Sequence, residues 1–451
     1  MYSRVSAGRP VEGVASERRT SVLTDPPSSR KPADKSSGYL TRYVDIELKE
    51  ILTHLPAAAI DGAKGVGKTE TASRHVDRVL RLDAPDTHDI VAMDTRSQLL
   101  SASRLCVDEW QKYPPVWDAV RRLVDEHTPT RFVLTGSASP TTSSDTHSGA
   151  GRIISLRMRP LSLAERADTS PSISLADLFT GTATISGTCS LSAADYARHI
   201  CASGFPAITS LAPRWRRTAL EGYVMRIIDH DIPELGTTVR HPAAMRSWMR
   251  AYAAASSTTA TYSTILDAAT PSQTDKPSRS TTNAYRELLS ALWVLDPVPA
   301  WLPAFTPLTR LTKGDKHQLC DPGLAAYLVG ASEDVLLSGR AGTAEVFGRL
   351  FESLATLSLR AAAPSCEAQV FHLRTRGGEH EVDLIVERYD GQVIACEVKL
   401  AHTVDDRDVR HLNWLKEELG DRLVDRVVIT PGPGAYRRPD GVAVIPLGML
   451  A

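Results

Sequence analysis

No apolar run in the sequence approaches the ~20 residues a bilayer-spanning helix needs. The first residues also lack the apolar core of a secretory signal. Both absences point to a cytoplasmic protein with no membrane partner. Cysteine is sparse: Cys106, Cys189, Cys201, Cys320, Cys366 and Cys396 lie scattered, with no C-x-x-C pair. That spacing argues against a zinc module or a disulfide framework and fits a reducing compartment. Neither sign of charge dominates, with 52 Lys and Arg against 53 Asp and Glu and a formal net charge of −1. Such a chain has no global attraction to nucleic acid, so any contact of that kind needs a local basic patch. What remains is an ordinary soluble composition, 42% hydrophobic and 23% charged. At 451 residues it is too long for one core, and about three domains are expected.

Residues 1–38 are rich in Ser, Pro, Gly and Arg without a sustained period. They offer too little apolar surface to offset their ordering entropy, so a disordered leader is expected, with a nucleic-acid-binding arm as the alternative.

The stretch Gly62-Ala63-Lys64-Gly65-Val66-Gly67-Lys68-Thr69 fits the phosphate-loop pattern of Gly, four residues, then Gly-Lys-Thr. A small apolar run, Pro56 to Asp61, precedes it as a buried strand would. Glu70 to Leu82 lacks Gly and Pro, and a helix is expected there. In that context the loop N–H groups and the helix N-terminus, from Gly62 through Glu70, face phosphates. Lys68 would reach the β- and γ-phosphates of ATP, and Thr69 would place a hydroxyl on Mg²⁺.

Further strands are expected at Ile90–Asp94, Arg104–Glu109 and Arg131–Ser137, which makes a parallel α/β sheet. Ligands of such sheets bind at the carboxyl ends of the strands. Asp108 would hold Mg²⁺ there, Glu109 would polarise the attacking water, and Thr135 or Ser137 would sense the γ-phosphate. Thr141 to Ala150 is a low-complexity loop expected to be mobile. Beyond it Arg152 is a candidate cation for the phosphates, with a plain surface arginine as the alternative.

These motifs resemble bacterial and archaeal ATPases of the AAA type fused to a C-terminal domain of unknown function. The resemblance rests on Gly62–Thr69, on Val107-Asp108-Glu109-Trp110-Gln111-Lys112-Tyr113-Pro114 and on Leu134-Thr135-Gly136-Ser137. Ser148-Gly149-Ala150-Gly151-Arg152, Arg159-Pro160-Leu161-Ser162 and Ser203-Gly204-Phe205-Pro206 follow in the expected order. It implies an ATPase domain with its lid over 39–235. It also departs from the pattern, because only 13 residues separate Asp94 from Asp108, fewer than the resemblance implies.

Three helices, Met245–Ala255, Tyr262–Ala269 and Ser280–Leu292, with a strand pair expected in Ala291–Leu302, suggest a winged-helix-like region over 236–335. Thr281, Thr282, Asn283 and Arg286 could then enter a major groove, although packing between ATPase and tail suits so uncharged a helix better. Over 336–451 a helix at Ala344–Leu359 carries Glu352, and two strands flank an Asp390-Gly391 turn. The strands carry Asp383 and Glu397-Val398-Lys399, the pattern of restriction-endonuclease-like α/β folds. Asp383 and Glu397 could bind Mg²⁺, with Lys399 helping to activate water. A solvated ladder of charges is the alternative. A two-residue turn would set Asp383 opposite Val398, with Glu397 on the other face. A three-residue turn with Gly391 left-handed would set Asp383 opposite Glu397, as a shared metal requires.

The expected protein is thus a multidomain α/β ATPase that couples ATP binding and hydrolysis to action on a target, DNA foremost. The alternatives are an ATP-gated, Mg-dependent nuclease and a nucleotide-dependent switch that docks on a protein partner. Assembly into an oligomer is compatible with each.

Overall fold

Between Pro56 and Arg157 short apolar runs alternate with helices, and the runs assemble side by side. The computed structural model describes residues 38–137, 150–166, 169, 171–270, 278–302 and 314–450. Residues 1–37 of the expected leader (1–38) lie outside these residues, as do the Ser/Thr loop before Ala150 and the Pro/Ser/Thr loop at 271–277.

The first sheet contains β1 (Ala57–Asp61), β2 (Arg78–Arg81), β3 (Arg104–Asp108), β4 (Arg131–Gly136) and β5 (Ile154–Arg157). Their order is β2-β3-β4-β1-β5, and every pairing is parallel. Its central strands are apolar on both faces because both faces are covered. Leu105, Cys106 and Val107 are fully buried, as are Phe132, Val133 and Leu134. The register sets Thr135 beside Ile60 on one side and Asp108 on the other. The carboxyl ends of β1, β3 and β4 therefore meet where the glycine loop begins.

Two expectations fail here. The helix after the loop is Lys68–Ser73, and the next residues give the edge strand β2. Ile90–Asp94 is not a strand, since Pro85–Met93 is helical. The apolar look of that run misleads, because Ile90 is 51% and Met93 86% exposed, with only Val91 in the core. Pro85 suits a first helical turn, where its missing N–H is not needed. β2 escapes a periodicity search because an edge strand can leave charged residues in water. It buries Leu80 and exposes Arg78 and Arg81.

In the middle of the chain, helices run over Pro242–Ala254, Tyr262–Ala269 and Arg279–Ala291. Trp248 stacks on Tyr252, with ring centroids 5.3 Å apart, and meets Tyr285 edge-on. The strand pair expected within Ala291–Leu302 forms differently. Antiparallel bridges join Leu295 to Leu319 and Val298 to Lys316. The partner strand thus comes from beyond residue 313.

The second sheet has the order β6 (Gly187–Thr188), β11 (Gly434–Arg437), β12 (Ala443–Pro446), β10 (Leu423–Thr430), β9 (Val393–Val398), β8 (Glu381–Arg388), β7 (Ala368–Arg374). It is mixed: β9, β10 and β12 are parallel, and β7, β8 and β11 run against their neighbours. The helix Thr343–Ala362 shares an apolar cluster with Leu384, Val386 and Ile394, and the helix Asp406–Leu419 shares another with Ile385, Ala395 and Val428. The first of these clusters also takes in Tyr43, Ile60, Ile200 and Trp248, so the described residues from Leu40 onward pack as one unit.

Candidate functional site

Backbone sterics build the glycine loop. Gly65 and Gly67 have φ of +79° and +102°, a region in which a side chain is strained. At Gly62 the constraint is space, because a Cβ there would stand 2.2 Å from the Met158 carbonyl oxygen. Lys68 opens the helix that follows and is buried. Its Nζ donates to the carbonyl oxygens of Gly62 (2.8 Å) and Ala63 (3.0 Å). Burial lowers its pKa to about 8, although the Glu109 charge partly offsets this. Among the described residues this ammonium hydrogen-bonds to neutral carbonyls, with its nearest acids beyond contact, and a phosphate group would give it a contacting anion.

β3 delivers two acids to the same place. Asp108 Oδ1 accepts from Thr69 Oγ1 at 2.8 Å and from the Thr135 hydroxyl. Glu109 has φ +53°, rare for a residue with a side chain. Its Oε1 accepts from Ser137 Oγ at 3.1 Å and its Oε2 from the Gln111 amide. Lys68, Thr69, Asp108, Glu109, Thr135 and Ser137 are therefore brought together. The Thr69 hydroxyl and Asp108 carboxylate, already in contact, form the hard oxygen pair that Mg²⁺ takes beside a nucleotide, and the residues fit that ion.

Two sequence candidates stand apart. Arg152 precedes β5, and β5 runs parallel to β1. Arg152 thus lies at the amino end of the sheet, opposite the glycine loop, where its Nε pairs with Asp125 at 2.7 Å. The Glu70 side chain turns along its own helix to Arg74 (2.7 Å).

Three sets of contacts have no signal in the sequence. Arg42 is buried and donates to the Val66 carbonyl (2.9 Å) and the Arg159 carbonyl (2.6 Å), with Glu165 as its ion partner (3.2 Å). Arg157, at the carboxyl end of β5 beside Asp61, lies 3.9 Å over the Trp293 ring. Near it Asp296 gathers Arg159 (2.6 Å), Arg360 (3.3 Å) and Arg157 (3.9 Å). Lys64, inside the loop, reaches Asp231 (2.7 Å) and Glu234 (2.8 Å), and Lys112, just after Glu109, reaches Glu234 (3.0 Å). Asp231 closes a π-helical turn, Ile227–Asp231, a deformation frequent at functional sites. Burial works against the Lys64 charge, but the two carboxylates outweigh it and raise its pKa. Only the glycine loop and the acids after β3 had a spacing to betray them; Arg42 and Asp296 act through packing across the chain.

The C-terminal acids also converge. Arg388 N donates to Gln392 O and Gly391 N to Arg388 O, with Gly391 at φ +81°. This is the three-residue turn, and Leu384 pairs with Cys396. In β8, Asp383 and Leu384 together stand opposite His372 of β7, a bulge, and bulges re-aim side chains. Asp383 Oδ2 accepts from Val398 N (3.0 Å), and Glu397 Oε2 from Lys399 Nζ (3.0 Å). Asp383 and Glu397 lie within hydrogen-bonding reach of each other. Burial, then the Asp383 charge, push the Glu397 carboxyl well above the usual range. Burial also pushes Asp383 up, but the Lys316 and Lys399 ammoniums outweigh it and hold its pKa at about 2.

Residues 55–167 match the family model of an AAA domain. Residues 193–335 and 347–450 each match a domain of unknown function, DUF8612 and DUF4143 respectively. No curated protein matches the chain. The chain thus joins a region similar to an AAA domain to two regions similar to domains of unknown function. Among the described residues no helix is long and apolar enough to cross a membrane.

Proposed function

We propose that this protein binds and hydrolyses ATP and transmits its nucleotide state to the helical and C-terminal regions. The observation that carries the reading is the carbonyl-bound Lys68 ammonium beside the Thr69–Asp108 pair and the braced Glu109. The loop N–H groups and Lys68 hold the β- and γ-phosphates. Thr69 and Asp108 hold Mg²⁺, which neutralises phosphate charge when bound. Glu109, fixed by Ser137 and Gln111, takes the proton of the attacking water.

We read the chain as an ATPase domain over 39–235, a winged-helix-like region over 236–335 and a restriction-endonuclease-like domain over 336–451. A cytoplasmic setting accords with the free cysteines. DNA is a weaker candidate for the target than a protein partner. Arg286 lies 4.9 Å over the Tyr262 ring, and on the exposed face of its helix Arg279 is offset by Glu287, with Asn283 and Ala284 between them. A nucleotide-dependent switch is the second reading, favoured by the ties from Lys64 and Lys112 to Asp231 and Glu234. These join the glycine loop and the β3 end to a helix outside the AAA match.

Titration of ATP into wild type and Lys68→Ala tests the main reading. Tight binding is expected only in the wild type, because the variant leaves the buried triphosphate without its main cation. Equal affinity would overturn the proposal. Turnover measured with and without duplex DNA then separates a DNA-stimulated enzyme from a slow switch.

A further inference from the structure

The C-terminal acids do not present an open seat for a divalent cation. Lys316 projects into them from outside the C-terminal match. It is 1% exposed, and its Nζ stands 2.8 Å from Glu352 Oε1, 3.1 Å from Asp383 Oδ1 and 3.3 Å from the Asp383 carbonyl oxygen. Glu381 completes the ring of acids at 4.0 Å. These are hard oxygens of the kind Mg²⁺ uses, and all of them converge on an ammonium. The lysine is held in register, since its N–H and C=O both bond to Val298 at 2.9 Å. Asp383 has no idle oxygen, because Oδ1 faces Lys316 and Oδ2 accepts from Val398 N. Glu397 accepts from Lys399 at Oε2, while its buried Oε1 finds no donor among the described residues. A proton on that carboxyl, shared toward Asp383, satisfies it better than a metal crowded by two ammoniums.

An ion on Asp383 Oδ1 would sit about 2.1 Å from that oxygen, on the atom that Lys316 already approaches. Like charges so close, in a site shielded from water, repel strongly. The ammonium, for its part, is tolerated in the interior because carboxylates surround it.

We propose that Lys316 is a tethered cation occupying the seat between Glu352 and Asp383, so that the nucleotide-free protein binds no divalent metal there. The acid pattern of a nuclease is thereby used as an internal ion cluster, which joins the Val298–Lys316 bridge to the C-terminal sheet. The Mg-dependent nuclease reading is set aside with it; the ATP site is untouched.

The test is Mn²⁺ titration of nucleotide-free, full-length protein, read by the paramagnetic resonance of free Mn²⁺. Wild type is expected to show no bound ion that depends on Asp383, so Asp383→Asn changes nothing. Lys316→Met, which keeps most of the buried stem, is expected to gain one bound Mn²⁺ per chain, lost again when Asp383→Asn is added. Lys316→Ala serves the same purpose if the methionine packs into the gap. A wild-type ion that Asp383→Asn removes would overturn the proposal, and so would folded Lys316 variants that gain no ion. The wild-type arm reads out whether or not either variant folds, and neither arm uses ATP.

Discussion

Raising the pH should weaken ATP binding through one proton on Lys68. In the free protein this lysine has its pKa lowered from the ordinary 10.5 to about 8 by burial, a cost of about 3 kcal/mol to its charged form. A bound triphosphate restores the charge and lifts the pKa, so binding takes up a proton wherever the free site has lost it. The affinity therefore falls as pH rises through about 8, with a slope approaching tenfold per unit, or roughly thirtyfold between pH 7 and 9.5. The free protein should behave oppositely. Between about 8 and 10.5 its folded state binds fewer protons at Lys68 than its unfolded state, so this group adds stability as pH rises across that window. Calorimetric titration in buffers of different ionisation enthalpy would read the proton uptake directly. Lys68→Arg should flatten the slope, because a guanidinium does not titrate in this range. A wild-type affinity independent of pH, or an equal slope in Lys68→Arg, would refute the argument.

Glu109→Gln should preserve ATP binding while slowing hydrolysis by about 10²-fold or more, as loss of a general base does; binding that collapses with turnover would make Glu109 structural. Asp296→Ala should cost about 3–5 kcal/mol in urea unfolding, since it leaves Arg157, Arg159 and Arg360 without their shared anion. A loss below about 1 kcal/mol would mean that solvent already screens the cluster.

What the sequence made legible followed from local chemistry. Gly62–Thr69 and the acids after β3 announce themselves by spacing, and the turn at Asp390-Gly391 offered two registers, of which the chain takes the one with Gly391 left-handed. Where an element's apolar residues are few, the pattern fails: β2 has one buried residue, and the helix Pro85–Met93 has one as well. Tertiary partners were invisible for a different reason. Nothing near Lys316 in the chain hints at Glu352 or Asp383, and nothing near Lys64 hints at Asp231, because such pairs are set only when distant segments dock.

The short strand Gly187–Thr188 has a consequence for how the chain acquires its structure. It closes the edge of a sheet whose neighbouring strand lies about 250 residues later, a contact order that favours slow folding. The same segment is pinned elsewhere: Ser172 N and Ile173 N donate to Met449 O, and Gly448 N donates to the buried Tyr196 hydroxyl. Synthesis from the amino end would therefore complete the first sheet while Ile173, Tyr196 and the 187–188 edge still wait for partners not yet made. A fragment cut between the 193–335 and 347–450 matches would keep those surfaces bare, with an open strand edge that invites aggregation.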